Sequence, residues 1–249
     1  MMAATATAGD FERLLTRDGA QGGAVVLLGQ KALGFYERRP QSRQPVFVGG
    51  VDIFPGQTSL PGVSLAVDPR IYLKTLREML PRLQKVVVYY DARDGPWIDH
   101  IKKIAPDEKL GVLPVPVSGA PEIARKLGDT FSSIDPETTA LWFGRDTLAH
   151  NTEVLYPYVL EQAWDRRIAV VSDTIAHVRR GFLFAFYPNY LEVGKELGAL
   201  VRQSGWQPVS GLRWTQAGQL TLNTRTARRL GIELAPSVIQ RAKPAFPEL

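Results

Sequence analysis

Cysteine is absent from this chain of 249 residues. Disulfides, thiolate nucleophiles and cysteine-based zinc sites are therefore excluded together. The same absence suits oxidising and reducing compartments equally. Histidine occurs only at His100, His150 and His177, without the H-x-x-x-H spacing of a metal site, so no metal or other cofactor is expected. No apolar run approaches the roughly 18 residues that cross a bilayer. The opening Met1–Gly9 stretch, MMAATATAG, lacks both a basic n-region and an apolar h-region. The chain is expected either to stay in the cytoplasm or to begin after a removed leader. Catalytic signatures are missing too: there is no G-x-x-x-x-G-K-[ST] phosphate loop and no G-x-S-x-G nucleophile elbow. Gly19–Gly23 (GAQGG) precedes an apolar run where a dinucleotide cradle would follow one. Nothing assembles a nucleophile, a base and an orienting group, so no enzyme is expected.

Charge of one sign is in only slight excess. Thirty Lys and Arg against 25 Asp and Glu leave +5. The pairs Arg38-Arg39, Arg166-Arg167, Arg179-Arg180 and Arg228-Arg229 are scattered and interrupted by acidic residues. That pattern reads as solvated surface, with docking onto an acidic partner left open. Nucleic-acid binding calls for a basic stripe with interleaved aromatics, and no nucleic-acid partner is expected. With 45% hydrophobic and 22% charged residues, the composition is that of a globular protein. The length allows one large domain or two modest ones.

What is present is a rhythm. Apolar runs at Ala24–Gly29, Pro45–Gly50, Lys85–Tyr90, Leu110–Val117, Thr139–Gly144, Arg167–Ser172 and Gly181–Tyr187 are hydrophobic throughout, as in strands covered on both faces. Between them lie helix candidates at Phe11–Arg17, Arg70–Leu80, Trp97–Ile104, Pro121–Thr130, Thr152–Arg166 and Tyr190–Ser204. Asp68-Pro69 marks one helix start with a capping carboxylate and an N1 proline, and Ser118 caps the next less certainly. Strand and helix in alternation imply an α/β fold with parallel sheets and right-handed crossovers. After Gly211 the rhythm lapses. A connector leads to a short strand at Gln219–Asn223 and a helix over Thr224–Leu230, and Ile232–Leu249, with three prolines, is expected to wrap the surface.

In parallel α/β sheets, ligands bind beyond the carboxyl ends of strands. Those ends read Gly29-Gln30-Lys31, Gly49-Gly50-Val51-Asp52, Tyr90-Asp91-Ala92-Arg93-Asp94, Gly144-Arg145-Asp146-Thr147 and Ser172-Asp173-Thr174. Glycine admits a ligand to the backbone, and the polar side chains supply donors and acceptors. Caps and turns use the same residues, but their recurrence at several strand ends favours a polar ligand. The candidates are Gln30, Lys31, Asp52, Asp91, Arg145, Asp146, Ser172 and Asp173. Lys31 or Arg145 would pair with a carboxylate, and Asp146 or Asp173 with an amino group. Tyr90 and Trp97 flank the Asp91 loop, and Tyr187 and Tyr190 flank Pro188-Asn189, where they serve either a flat ligand or the core.

From Ala24 onward the sequence resembles the ABC transporter substrate-binding proteins of the tryptophan/tyrosine-binding (TrpX-like) type. The resembling segments are Val25–Leu33, Gln44–Phe54, Leu60–Asp94, Ile168–Val201 and Leu220–Ala242. The last carries Asn223, Ala227, Gly231, Ile232, Leu234 and Pro236 in the spacing of that family's terminus. The resemblance implies a type I periplasmic-binding-protein fold: two doubly wound parallel-sheet lobes joined by three crossover segments, near Ser64–Asp68, Ser172–His177 and Arg213–Gln219. Lobe 1 would be residues 1–66 plus 175–213, and lobe 2 residues 67–174 plus 214–249. It further implies a periplasmic receptor that holds a small, amino acid-like solute between its lobes for the membrane subunits of an importer. Two departures accompany it. The family's first β-α-β is missing ahead of Phe11–Leu28, and Gln30-Lys31 stands where the family has Thr-Pro. A lobe short of strands would expose edges, so the resemblance also admits a degenerate member acting as an assembly component, for instance a homodimer.

Overall fold

The computed structural model describes residues 23–38, 42, 44–144, 147, 152–204 and 211–246. The helix expected at Phe11–Arg17, and with it the question of an opening β-α-β, lies outside them. The chain divides into two units, Met1–Val67 with Pro188–Ala217 and Asp68–Tyr187 with Gly218–Leu249. Three passages of chain therefore join them.

In the smaller unit, β1 (Val25–Leu28), β2 (Val46–Val51), β3 (Gly62–Val67) and β9 (Leu212–Thr215) form a parallel sheet in that order. Alternating side chains feed two cores. Leu27, Val46 and Val48 pack with Leu33 of α1 (Gln30–Arg38) on one face, and Phe47 and Val63 pack with Val193, Leu197 and Leu200 of α7 (Tyr190–Gln203) on the other. Glycine is required where backbones close up: a Cβ on Gly62 would stand 1.9 Å from the Val48 carbonyl oxygen. Among the described residues β1 is an edge strand, and Val26 and Leu28 on it are 40% and 61% exposed.

The larger unit carries β4 (Lys85–Asp91), β5 (Gly111–Val117), β6 (Thr139–Phe143), β7 (Ala169–Ser172), β8 (Phe184–Pro188), β10 (Gly218–Asn223) and β11 (Ala242–Phe246). Their order is β11-β10-β8-β7-β6-β4-β5. Neighbours from β5 through β8 run parallel. β10 runs against β8, since the Asn223 N–H reaches the Leu183 carbonyl while the Asn189 N–H reaches that of Ala217. Every residue of β6 is buried, which explains its unbroken apolar sequence. Leu141 and Phe143 join the cluster of Tyr89, Leu127, Val159 and Phe182. Across the sheet, Trp142 stacks on Tyr72 at 4.5 Å and meets Trp97 edge-on at 5.2 Å. The helices are α2 (Pro69–Met79), α3 (Gly95–Ile104), α4 (Ala120–Ser133), α5 (Thr152–Asp165), α6 (Ile175–Arg180), α8 (Thr224–Arg229) and α9 (Pro236–Arg241).

Three expectations are corrected. The second passage between units falls at Tyr187/Pro188, not at 172–177, because α6 and β8 complete the larger sheet before the chain leaves it. Residues 232–249 do not merely wrap the surface. Pro236 opens α9, and β11 pairs in parallel with β10 as an edge strand, where proline is tolerated. Ser118 is not the cap of α4. Its N–H and hydroxyl both donate to Glu122 within the helix, whose carboxyl is held down at about 2 by hydrogen bonds from Lys126 and Ser118.

Candidate functional site

Parallel pairing brings the candidate residues of each unit to one end of its sheet. In the smaller unit the Gly29 N–H donates to the Gly49 carbonyl at 2.9 Å, and Gly50 approaches Gly29 closely. Gln30 and Lys31 follow β1, Asp52 follows the neighbouring strand β2, and all three are exposed. Gly29 adopts φ +87, which turns the strand directly into α1. Gln30 and Lys31 therefore occupy the first turn of a helix and not an open loop. At the same end, Thr215 Oγ1 and the Gln216 N–H donate to Glu196 at 2.5 and 3.1 Å. Asn189 caps α7 by accepting from the Glu192 N–H, and Phe54 and Trp214 lie 5.4 Å apart. Glu196 and Trp214 escaped the sequence reading. Nothing in the local pattern marks a glutamate in mid-helix as facing a strand end.

In the larger unit the adjacent strands β4, β6 and β7 align Asp91, Gly144 and Ser172 along the carboxyl edge. Asp91 is already engaged: Arg93 holds it through Nε at 2.8 Å and Nη2 at 2.9 Å, and the Arg93 N–H adds a third bond. Gly144 serves packing, since a Cβ there would lie 2.8 Å from the Trp97 ring. Trp97 is core, as is Tyr89, whose hydroxyl donates to Thr130 and whose pKa burial pushes up to about 12. Tyr187 is tied to the Lys243 carbonyl, whereas Tyr190 of the smaller unit is exposed. Arg145, Asp146 and His150 lie outside the described residues.

Ser172 is fully buried, lies 2.8 Å from His177 Nδ1, and accepts the Thr174 N–H. Tyr156 donates to the His177 carbonyl and shares a ring contact with His177 at 5.2 Å. A serine and a histidine in this relation resemble half of a nucleophile–base pair. Here the hydroxyl has no exposed surface, and it ties the start of α6 to the end of β7. Asp173 and Thr174, which follow, are half-buried and stand nearer to solvent. Among the described residues no cluster of carboxylates and histidines suits a metal ion.

No protein-family model and no curated protein matches the chain. Solved structures do. An ABC domain in complex with L-Trp from Streptococcus pneumonia is 17% identical, with 96% of this chain and 85% of that chain covered at a TM-score of 0.59. A substrate binding protein with adhesive properties from Clostridium difficile, in a ligand-free open structure, is 16% identical over 86% and 75%, at 0.61. A LacI transcriptional regulator from Lactobacillus brevis reaches 0.50 at 15% identity over 84% and 80%. Two α/β units, the larger with one antiparallel pairing between β8 and β10, joined by three passages, together with these likenesses, give the chain the fold of the type I periplasmic binding proteins.

Proposed function

We propose that this protein is a receptor, without catalytic activity of its own, for a small polar, amino acid-like solute. In this reading it serves an ABC-type importer outside the cytoplasm. The observation that carries it is the gathering of Gln30, Lys31 and Asp52 at one sheet's carboxyl end, and of Ser172 and Asp173 at the other's. Likenesses to binding proteins of the same fold support it. Lys31 or Arg145 takes the solute's carboxylate, and Asp146 or Asp173 its amino group. Ser172 contributes by fixing the loop that carries Asp173.

Isothermal titration of the intact chain against acidic, basic, aliphatic and aromatic amino acids, L-tryptophan included, tests this. One class is expected to bind saturably. Removing a charged partner should cost about 1–3 kcal/mol, roughly 5- to 150-fold in affinity. If Lys31→Ala, Arg145→Ala, Asp146→Ala and Asp173→Ala all bind as the wild type does, the site assignment is wrong. A second reading, an assembly component, draws on the exposed apolar side chains of edge strand β1. Sedimentation separates the two: a concentration-independent monomer with a saturable solute site excludes assembly.

A further inference from the structure

Arginines that are far apart in sequence meet at one place on the larger unit. α6 ends in Arg179 and Arg180 and is stopped by Gly181 at φ +134, where a Cβ would lie 2.6 Å from Trp164. α8, about 45 residues on, is fastened to the same turn. Asn223 Nδ2 donates to the Val178 carbonyl at 2.8 Å, and Thr226 Oγ1 donates to that of Gly181 at 2.9 Å. The Asn223 side-chain oxygen meanwhile accepts the Thr226 N–H and so caps α8. Fastened this way, α8 presents Arg225 and Arg229 beside Arg179 and Arg180. All four line a depression of about 280 Å³ whose walls include Trp164 and Phe246.

Three properties separate this cluster from ordinary solvated surface. Among the described residues, the lining of the depression contains no carboxylate. Among the described residues, none of the four guanidinium groups has an ion pair or a hydrogen bond. Aromatic rings restrain three of them: Arg229 stands 4.5 Å over Trp164, Arg180 5.5 Å over Tyr156 and Arg179 5.8 Å over Phe246. Glu161 and Asp165 line the adjoining, larger depression, where Arg180 and Arg229 face them, whereas Arg179 and Arg225 line only the smaller one. Four like charges around so small a volume repel one another, and an anion relieves that repulsion.

We infer that this depression is a second binding site, taking a small ligand through a phosphate or pyrophosphate group. A carboxylate directs its acceptor oxygens within one plane. A phosphate directs oxygens tetrahedrally and can accept from donors that converge from two helices. The depression is of small-molecule size. It lies toward the amino ends of β7 and β8, away from the solute site proposed at the opposite strand ends, and shares no residue with it.

The test is calorimetric titration of the intact chain with inorganic pyrophosphate at constant ionic strength. One saturable site is expected, weakened at least tenfold in Arg225→Ala and in Arg179→Ala, and more in Arg225→Ala/Arg229→Ala. Solute binding by these variants should equal that of the wild type, and circular dichroism should show their fold retained. Glu248, two residues past Phe246 in the sequence, is replaced in a parallel Glu248→Gln titration, so that this side chain cannot mask the site. Absence of saturable binding in both wild type and Glu248→Gln overturns the inference, as does binding that the arginine variants leave undiminished. Parallel titrations with a DNA oligonucleotide and an aspartate-rich peptide distinguish other anions. Arginine-dependent binding of either one, with none of pyrophosphate, replaces the small-ligand site with a macromolecular surface.

Discussion

At the scale of single residues, the structure changes the reason for a residue more often than its importance. Gly144 ends a strand, as a ligand-admitting glycine would. Its lack of a side chain serves the Trp97 ring instead, 2.8 Å from where a Cβ would stand, with the Tyr89 carbonyl oxygen at 3.2 Å. Both neighbours are embedded in the core, so Gly144→Ala is expected to lower the free energy of unfolding by about 1–3 kcal/mol in a urea titration. Tyr89 gives a pH signature. Its pKa rises from 10.0 to about 12 chiefly through burial, so the folded state keeps a proton that the unfolded chain releases. Its contribution is complete below pH 10 and is lost as pH climbs from 10 to 12. Stability should fall over that window, and less steeply in Tyr89→Phe. Tyr156 and Tyr187, raised in the same direction by burial, supply the slope that remains.

At the scale of elements, ends proved more legible than interiors. Asp68-Pro69 announces α2, and the structure has the Arg70 N–H donating to Asp68 Oδ1 at 2.9 Å with Pro69 at N1. His100 Nε2 stands 3.3 Å from the same oxygen, a neighbour 32 residues away that no local pattern indicates. Asp68→Ala is expected to cost about 0.5–2 kcal/mol by urea titration, with Asp68→Asn or Asp68→Ser recovering most of it through the retained cap. Asn223, legible as part of a terminal motif, proves to be both cap and clamp: it is buried and bonded to Thr226 and Val178. Asn223→Ala should be more damaging than an exposed cap, by about 1–3 kcal/mol, because the Val178 carbonyl loses its partner in the interior. It should also weaken pyrophosphate binding, since α8 would no longer be fixed beside α6. β3, α1, α6, α9, β11 and β9, the last at Leu212–Thr215 where a connector is expected, were missed for a shared reason. Each is short, and a run of four to nine residues carries too little periodicity to separate helix, strand and loop.

At the scale of the whole molecule, a receptor has a thermodynamic signature. A ligand that binds only the folded state stabilises it by about 2.7 kcal/mol at a hundredfold excess over Kd. The solute identified by titration should therefore raise the unfolding midpoint of the wild type more than that of Asp173→Ala at the same concentration. A protein whose midpoint no amino acid shifts, and which sediments as a dimer, would instead fit the assembly reading. Charge also changes meaning at this scale. The +5 excess looked diffuse along the chain. Folding gathers four of its arginines into a single depression, because antiparallel β10 returns the chain to the amino end of β8.

The amino-acid sequence by itself determined the fold class. Strands covered on both faces need unbroken apolar runs, the helices between them need one apolar stripe, and both patterns are local. It also marked the strand ends where polar residues recur, since glycine, aspartate and serine punctuate the chain whether or not a ligand is near. Only the tertiary structure decided which of those residues are already engaged, as Asp91 is by Arg93 and Ser172 by His177. Only it brought α6 and α8 together, about 45 positions apart. Partners at such separation are fixed by sheet order and chain direction, and these are settled by packing and not by any stretch of sequence short enough to read.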